Sequence, residues 1–455
     1  MDASLVARCG IVLAKFYHHV FPRPPFHARI VDNMLDIKFI RENADIVKAG
    51  AIKKHIEVDI DRLIAIDDNR KRLKQEIEAK RSEQNRRSNE IQRAKGEERD
   101  KLLEAMRMLK AGMTETEEQL KAVMVEWQNL MLMVPNVPDM SVPDGDTDAE
   151  NLEVKTWGDI PVIENPKDHA ELMTNLGMAD FERGSKVAGF RGYFLKGDGA
   201  ILSYALWQFL SDHFMKKGGF TPMIVPSLVR REGFMGTGYL PQSEEDLYKT
   251  QDGEYLSGTA EVATMAYHMD EMLDEKQFPI KYFSFSPAFR REAGSHGKDT
   301  KGLIRVHEFY KFEQVVLCEA SHEASVKYHE ELTANAEEAL QLLKIPYHIV
   351  VNCGGDLGLG QVKKYDIECW MPSEGTYRET HSASYFHDFQ TRRLNIRYRD
   401  NEGTVKFAHS LNNTALATPR FLAVLVENYQ RSDGTIRVPE VLQAYVGKEI
   451  IGGAS

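Results

Sequence analysis

From Asp59 to Leu132 the chain carries no proline, and its only glycines there are Gly96 and Gly112. Proline removes a backbone donor and clashes with the preceding turn, so a stretch this long without one leaves unbroken helix as the default. Within it Met106, Leu109, Met113, Thr116, Leu120, Val123, Trp127 and Leu130 recur at alternating spacings of three and four, the seam of a coiled coil. Leu63, Ile66, Leu73 and Ile77 keep a compatible spacing upstream, and Lys95-Gly96-Glu97 supplies a turn. The pattern predicts an antiparallel helical hairpin with arms of roughly 35 residues, each about 50 Å long at 1.5 Å per residue.

Charge is uneven along that hairpin. Between Arg70 and Lys95, ten basic residues meet four acidic ones, a local +6 within a chain of net charge −11. The total speaks against a protein coated in basic surface for nucleic acid, but it hides this asymmetry. A solvated coiled-coil face accounts for the basic run on composition alone. A contact surface for a phosphate backbone is the sharper alternative, because clustered cations gain by counterion release.

The 455 residues should divide into two or three domains, and 42% hydrophobic with 28% charged residues describes an ordinary globular chain. No apolar run reaches membrane-spanning length. Cys9, Cys318, Cys353 and Cys369 form no Cys-x-x-Cys pair, so a reducing compartment and no structural zinc are expected. Residues 1–33, with the breakers Pro22, Pro24 and Pro25, lack a signal-peptide pattern and read as a disordered extension or a start placed ahead of the true one. Met34 opens a cleaner helical pattern. The proline- and aspartate-rich stretch from Val134 to Asp146 has the composition of a linker, which gives an N-terminal unit over 34–145 and a second domain over 146–455. In the second, strand-like runs at Lys281–Phe285, Tyr347–Val351 and Leu394–Tyr398 alternate with helical ones at Leu202–Lys217 and Ser321–Leu343. Few connections read as strand-helix-strand crossovers, so an α+β fold on a mainly antiparallel sheet is expected.

No phosphate-loop, dinucleotide-binding or nucleophile-elbow motif is present, and the glycines from Gly354 to Gly360 fit no fingerprint, so they read as a plain flexible loop. Phe289-Arg290-Arg291-Glu292-Ala293-Gly294 and Gly302 to Glu313 instead read as strand, loop, strand, with Arg290, Glu292, Phe309 and Glu313 able to share one face by alternation. Arginine there can hold a phosphate or carboxylate bidentately, and the aromatic ring can stack on a purine. A bare Arg-x-Glu would equally serve as a cross-strand ion pair.

Those two segments resemble motif 2 of the class II aminoacyl-tRNA synthetases in its seryl form. Gly219-Phe220-Thr221-Pro222-Met223-Ile224-Val225-Pro226 is similar to motif 1, and Thr414 to Arg420 followed by Leu425 to Gln430 is similar to motif 3. Gly258-Thr259-Ala260-Glu261 resembles the serine-pocket loop, and Arg378 to Ser384 with Asp388-Phe389-Gln390 resembles the metal and ATP segment. The resemblance runs from Met34 to the C-terminus with the motifs in family order. It implies a class II catalytic domain, an antiparallel sheet flanked by helices, preceded by a hairpin that reaches the long variable arm of serine tRNA.

What the resemblance implies chemically is a two-step ligation: serine plus ATP to seryl-adenylate, then transfer to the 3′ end of tRNA(Ser), with tRNA(Sec) as a second partner the family commonly serves. Arg290, Glu292 and Arg420 carry the catalytic roles in that reading. Serine would be held by Thr259, Ala260, Glu261, Arg290, Glu313 and Thr414. ATP would be held by Arg290, Arg291, Glu292, Val306, Phe309, Glu379, Thr380, His381, Ser382 and Arg420. Glu379 and Ser382 offer hard oxygens for Mg²⁺, and no zinc is expected. Arg72, Lys80, Arg86, Arg87 and Arg93 become the candidate tRNA contacts. The family also implies a cytoplasmic homodimer without a membrane anchor. Two departures from its commonest pattern, the segment Ser382 to His387 and the residues Asn413 and Pro419, flank these contacts and do not supply them. A relative that has lost aminoacylation, and one that charges a carrier protein, are the competing readings; retention of the named residues weighs against the first and the hairpin against the second.

Overall fold

The computed structural model describes residues 36 to 452 apart from Ser295, His296 and Lys298; the expectation for residues 1–33 lies outside them. Two short helices, α1 (Ile37–Glu42) and α2 (Ala44–Lys53), precede the hairpin of α3 (Ile60–Arg93) and α4 (Glu97–Met133), whose arms hold 34 and 37 residues. The Asp59 carboxylate accepts from the Arg62 amide at 2.8 Å and caps α3. At the tip Gly96 has φ +60°, a left-handed backbone that glycine adopts without the penalty of a Cβ. Glu97, Glu98 and Asp100 then place negative charge on the first turn of α4, where the helix dipole favours it.

Leu63, Ile66, Leu73 and Ile77 are buried against α4, as their spacing predicts. On α4 the burial is uneven: Met106, Thr116 and Trp127 are enclosed, whereas Leu109, Leu120 and Leu130 are half-buried. A two-helix seam has solvent along both flanks and cannot cover every apolar position. At its root the seam continues into the body, where Leu63, Trp127 and Met131 share one core with Phe234, Tyr255 and Val262.

The body is built on eight strands, β1 (Leu152–Trp157), β2 (Thr221–Ile224), β3 (Ile280–Phe289), β4 (Glu308–Cys318), β5 (Tyr347–Val351), β6 (Lys363–Met371), β7 (Thr376–Tyr385) and β8 (His409–Thr418). Their spatial order is β1-β5-β6-β7-β8-β4-β3-β2. Neighbours are antiparallel except β2, which lies parallel to β3 at the edge. Alternation divides β4 cleanly. Phe312, Val316 and Cys318 enter a core shared with helices Asp198–Lys217, His322–Leu342 and Arg420–Asn428, while Lys311 and Glu313 face Thr259 on the other side.

Three sequence readings need correction. The run Leu394–Tyr398 is not one strand: a helix over Phe389–Leu394 ends there, Asn395 takes φ +56°, and a short strand begins at Arg397. The Gly354–Gly360 segment is largely buried, and a Cβ on Gly354 would stand 2.1 Å from the Lys53 carbonyl oxygen, so close approach and not flexibility explains that glycine. The linker-like stretch is pinned to the body. The Asn136 amide donates to the carbonyls of Gly360 and Phe386, at 3.1 and 2.7 Å, and the Asp139 backbone donates to Val362 at 2.9 Å.

Candidate active site

A cavity of about 510 Å³ opens on the Thr259 side of the sheet, walled by Gly258, Thr259, Arg290, Glu292, Arg305, Glu379 and Arg420. It runs into a smaller pocket lined by Val306, Phe309, Ser382 and Thr414, with Arg290 and Arg420 common to both. Arg290, just past the end of β3, bonds the Gly258 carbonyl at 3.3 Å and lies 5.3 Å from the centre of the Phe309 ring. Arg420 opens the helix Arg420–Asn428 and bonds the carbonyls of Ile304 and Glu379 at 3.1 and 2.9 Å. Burial pulls its pKa below the usual arginine value. Both guanidiniums are therefore held in place by carbonyl oxygens while the cavity side stays open.

Glu292 has φ +55°, an uncommon backbone for a residue with a side chain, and its carboxylate accepts from Arg305 at 3.1 Å. Arg305 also reaches Asp299 at 2.8 Å, and Asp299 accepts from Arg378 at 2.5 Å, so this wall is a chain of matched charges.

Glu379 and Ser382 are three residues apart on β7, and simple alternation would send them to opposite faces. A β-bulge against β6 absorbs the extra residue, Thr380, and brings both to the smaller pocket. Desolvation pushes the Glu379 carboxyl up, but Lys364, Arg420, Arg290 and Lys311 outweigh it and hold the group below the usual carboxylate range. An ionised carboxylate beside a hydroxyl is a donor set that suits magnesium. Among the described residues, no group of three or more His, Cys, Asp or Glu side chains is arranged to hold a metal ion.

Behind Thr259 lies a buried polar cluster. The Thr259 hydroxyl donates to Glu313 at 3.0 Å, and Glu313 is ion-paired with Lys311. Glu261 accepts from the Tyr239 hydroxyl at 3.0 Å and from the Gln390 amide at 2.7 Å. Burial and the nearby Glu313 push the Glu261 carboxyl up to about 7. Thr414 stands opposite Glu313 in the β8–β4 ladder, and Ala260 is buried as the first residue of the helix Ala260–Ala266.

Not every expected contact faces the cavity. The Arg291 guanidinium turns to the Glu245 carbonyl at 2.9 Å, away from both pockets. Thr380 lines the smaller pocket, but its hydroxyl is spent within the bulge on the Ile367 carbonyl and His381. The His381 ring is buried edge-on to Phe421, where burial pushes its pKa down to about 4. On the hairpin, Lys80 points inward to Glu76, Gly112 and Thr116, at 2.8, 2.9 and 2.7 Å, so it is not on the exposed face. Arg86 and Arg87 both lean on Glu83, Arg72 pairs with Glu76, and Arg93 is exposed at the end of α3. Lys311 escaped the sequence reading although it sits two positions from Glu313 on the same face. Tyr239 and the pair Lys364–Asp366, 2.9 Å apart on the cavity wall, carry no local signal; only the tertiary pairing reveals them.

Residues 247–429 match the family model described as the tRNA synthetase class II core domain (G, H, P, S and T). The sheet, the bulged β7 and the two carbonyl-held arginines thus define a class II aminoacyl-tRNA synthetase body. Residues 34–138 match the seryl-tRNA synthetase N-terminal domain, and the serine–tRNA ligase of Deinococcus radiodurans is 44% identical over 92% of this chain and 99% of that protein. The chain belongs to the seryl-tRNA synthetase family. Among solved structures, the Pyrococcus horikoshii seryl-tRNA synthetase complexed with ATP superposes with a TM-score of 0.85, at 39% identity over 93% of this chain and all of that one. The cytoplasmic serine–tRNA ligase of Naegleria fowleri in complex with AMP gives 0.82, at 34% identity over 92% and 98% of the two chains.

Proposed function

We propose that this protein is a serine–tRNA ligase that activates L-serine with ATP and transfers the seryl group to the 3′-terminal ribose of tRNA(Ser). The observation that carries this is the cavity geometry: two arginines fixed by carbonyls converge beside a buried Thr259–Glu261–Glu313 cluster. In the first step the serine carboxylate attacks the α-phosphorus and pyrophosphate leaves. Arg290 bridges the carboxylate and α-phosphate, and Arg420 takes the γ-phosphate; neither reorganises as charge builds, so the stabilisation is electrostatic preorganisation. Phe309 stacks on adenine, with Glu292 and the Val306 backbone at its edge. Glu379 and Ser382 would hold Mg²⁺, which when bound would neutralise phosphate charge. Glu261 receives the serine ammonium and Glu313 with Thr414 reads its hydroxyl; no side chain is assigned as general base.

The hairpin presents Arg72, Arg86, Arg87 and Arg93 to tRNA, and tRNA(Sec) fits the same surface. An exposed apolar edge supports a homodimer: Ile224 of β2 is 87% exposed, and Tyr204 on the helix Asp198–Lys217 lies beside a 560 Å³ cavity. No helix among the described residues is long and apolar enough to cross a membrane. Serine-dependent ATP–pyrophosphate exchange tests the reading. Stimulation by serine and not by alanine or threonine is expected, and exchange that no amino acid stimulates would overturn it.

A further inference from the structure

Two carboxylates of the cluster behind Thr259 are held in different ways. Glu313 is ion-paired with Lys311, whereas the two oxygens of Glu261 accept from neutral donors, the Tyr239 hydroxyl and the Gln390 amide. Gln390 is buried, belongs to the helix Phe389–Leu394, and lines neither pocket. Its orientation is fixed from both ends. The Ser410 hydroxyl donates to its amide oxygen at 2.8 Å, and its amide nitrogen faces the Glu261 carboxylate and, at 3.4 Å, the Thr237 carbonyl. Rotating the amide by half a turn would set its oxygen against two acceptors.

A neutral donor does something here that a cation could not. It fixes the direction of the carboxylate without pairing it with a positive charge, where a lysine or arginine would compete with the incoming ammonium for it. We propose that Gln390 is the positioning residue for the amino group of serine, aiming Glu261 without neutralising it and touching no substrate itself. This rests on the reading of Glu261 as the ammonium ligand.

The protonation chemistry runs the same way. The titratable groups facing Glu261 are Glu313 and Lys311 from β4 and Tyr239 from the loop after helix Arg231–Thr237; Arg290 faces Tyr239. Burial and Glu313 push the Glu261 carboxyl up to about 7, and the Gln390 and Tyr239 hydrogen bonds oppose that push. Removing the amide lets the carboxyl rise further, so a larger share of Glu261 is protonated at neutral pH. Serine binding is then weaker at pH 7 and recovers as pH rises.

Three variants decide it, each assayed by exchange from pH 6 to 9: Gln390→Met, which keeps size and loses the donor; Ser410→Ala, which frees the amide to rotate; and Glu261→Gln. Gln390→Met is expected to raise the KM for serine at pH 7 by about 10- to 100-fold, with kcat and the ATP KM within about twofold. The acid limb of kcat/KM for serine should move to higher pH. Ser410→Ala should raise the serine KM by a smaller factor, and it decides the matter if Gln390→Met does not fold. An unchanged serine KM in Glu261→Gln sinks the reading of Glu261 itself. If Glu261→Gln raises that KM but folded Gln390→Met and Ser410→Ala leave it and the acid limb unmoved, the positioning role is wrong. A parallel rise of both KM values with a fallen kcat would mean a structural role only, which also overturns the proposal.

Discussion

On the arm, Arg86 and Arg87 both lean on Glu83, the Arg86 side chain is 64% exposed, and their partner stands on the same helix. In the body, Arg420 is 26% exposed and is held by two backbone carbonyls at the lip of a cavity. The residue type is the same and the physics is opposite. An exposed intrahelical ion pair is screened by salt, and its members can exchange one partner for another at little cost. That suits contact with a polyanion whose phosphates arrive from outside. A guanidinium held by carbonyls, with the Glu379 carboxylate 3.9 Å away, has its position fixed, which suits stabilising charge that appears only during the reaction.

The sharpest way to break this comparison is to remove a body arginine. Arg420→Ala deletes a preorganised cation, and loss of one such donor costs on the order of 10²–10³ in rate. Serine-dependent exchange should fall by about that factor while the melting temperature moves by no more than a few degrees. A fall of less than about tenfold would mean that Arg420 is a structural clamp between the carbonyls of Ile304 and Glu379, and the contrast with the arm would lose its basis.

A second test asks whether arm and body are separate at all. Trp127, 2% exposed, belongs to α4 yet packs in the core that also holds Tyr255 and Val262, the neighbour of Glu261. The Arg70 guanidinium lies 4.5 Å above its ring. Trp127→Ala removes the largest side chain of that junction and should cost about 3 kcal/mol of stability. Calorimetry should show one transition shifted down if the root of the arm is integral to the body. Two separated transitions would show that the arm melts alone.

How legible these features are in the sequence follows from the range of the interaction behind each. The hairpin is set by spacing along α3 and α4 and by Gly96, all local signals, and it reads directly. Phe309, Lys311 and Glu313 share a face because a strand alternates, so that wall is legible once β4 is recognised. Glu379 and Ser382 break the same rule, and only the bulge at Thr380, formed against β6, reunites them. Their common pocket is therefore foretold by the family resemblance and invisible to periodicity. Tyr239 and Lys364 are brought to the site by pairings between distant segments, for which a single sequence holds no code, and the bond of Gln390 to Glu261 is equally invisible although its segment carries the family resemblance.

The smallest expected effect returns to the arm. Arg86→Gln with Arg87→Gln should weaken tRNA charging at moderate salt by about tenfold and reduce the slope of log K against log salt by about one to two, since each lost phosphate contact removes roughly 0.7 to 0.9 of slope. Serine-dependent exchange should not change, because these side chains contact nothing in the body. The two arginines hold the Glu83 carboxyl down at about 2, and without them it titrates closer to the ordinary glutamate value, so any accompanying loss of arm helicity is present above about pH 5 and fades as pH falls below it. The sign follows from the direction of that shift: a depressed carboxylate favours the folded arm above its ordinary pKa and loses that contribution as pH falls. If charging and its salt slope are unaltered, the basic run is a solvated coiled-coil face after all. If exchange is lost as well, the arm supports the catalytic body, and the division of labour between the two kinds of arginine fails.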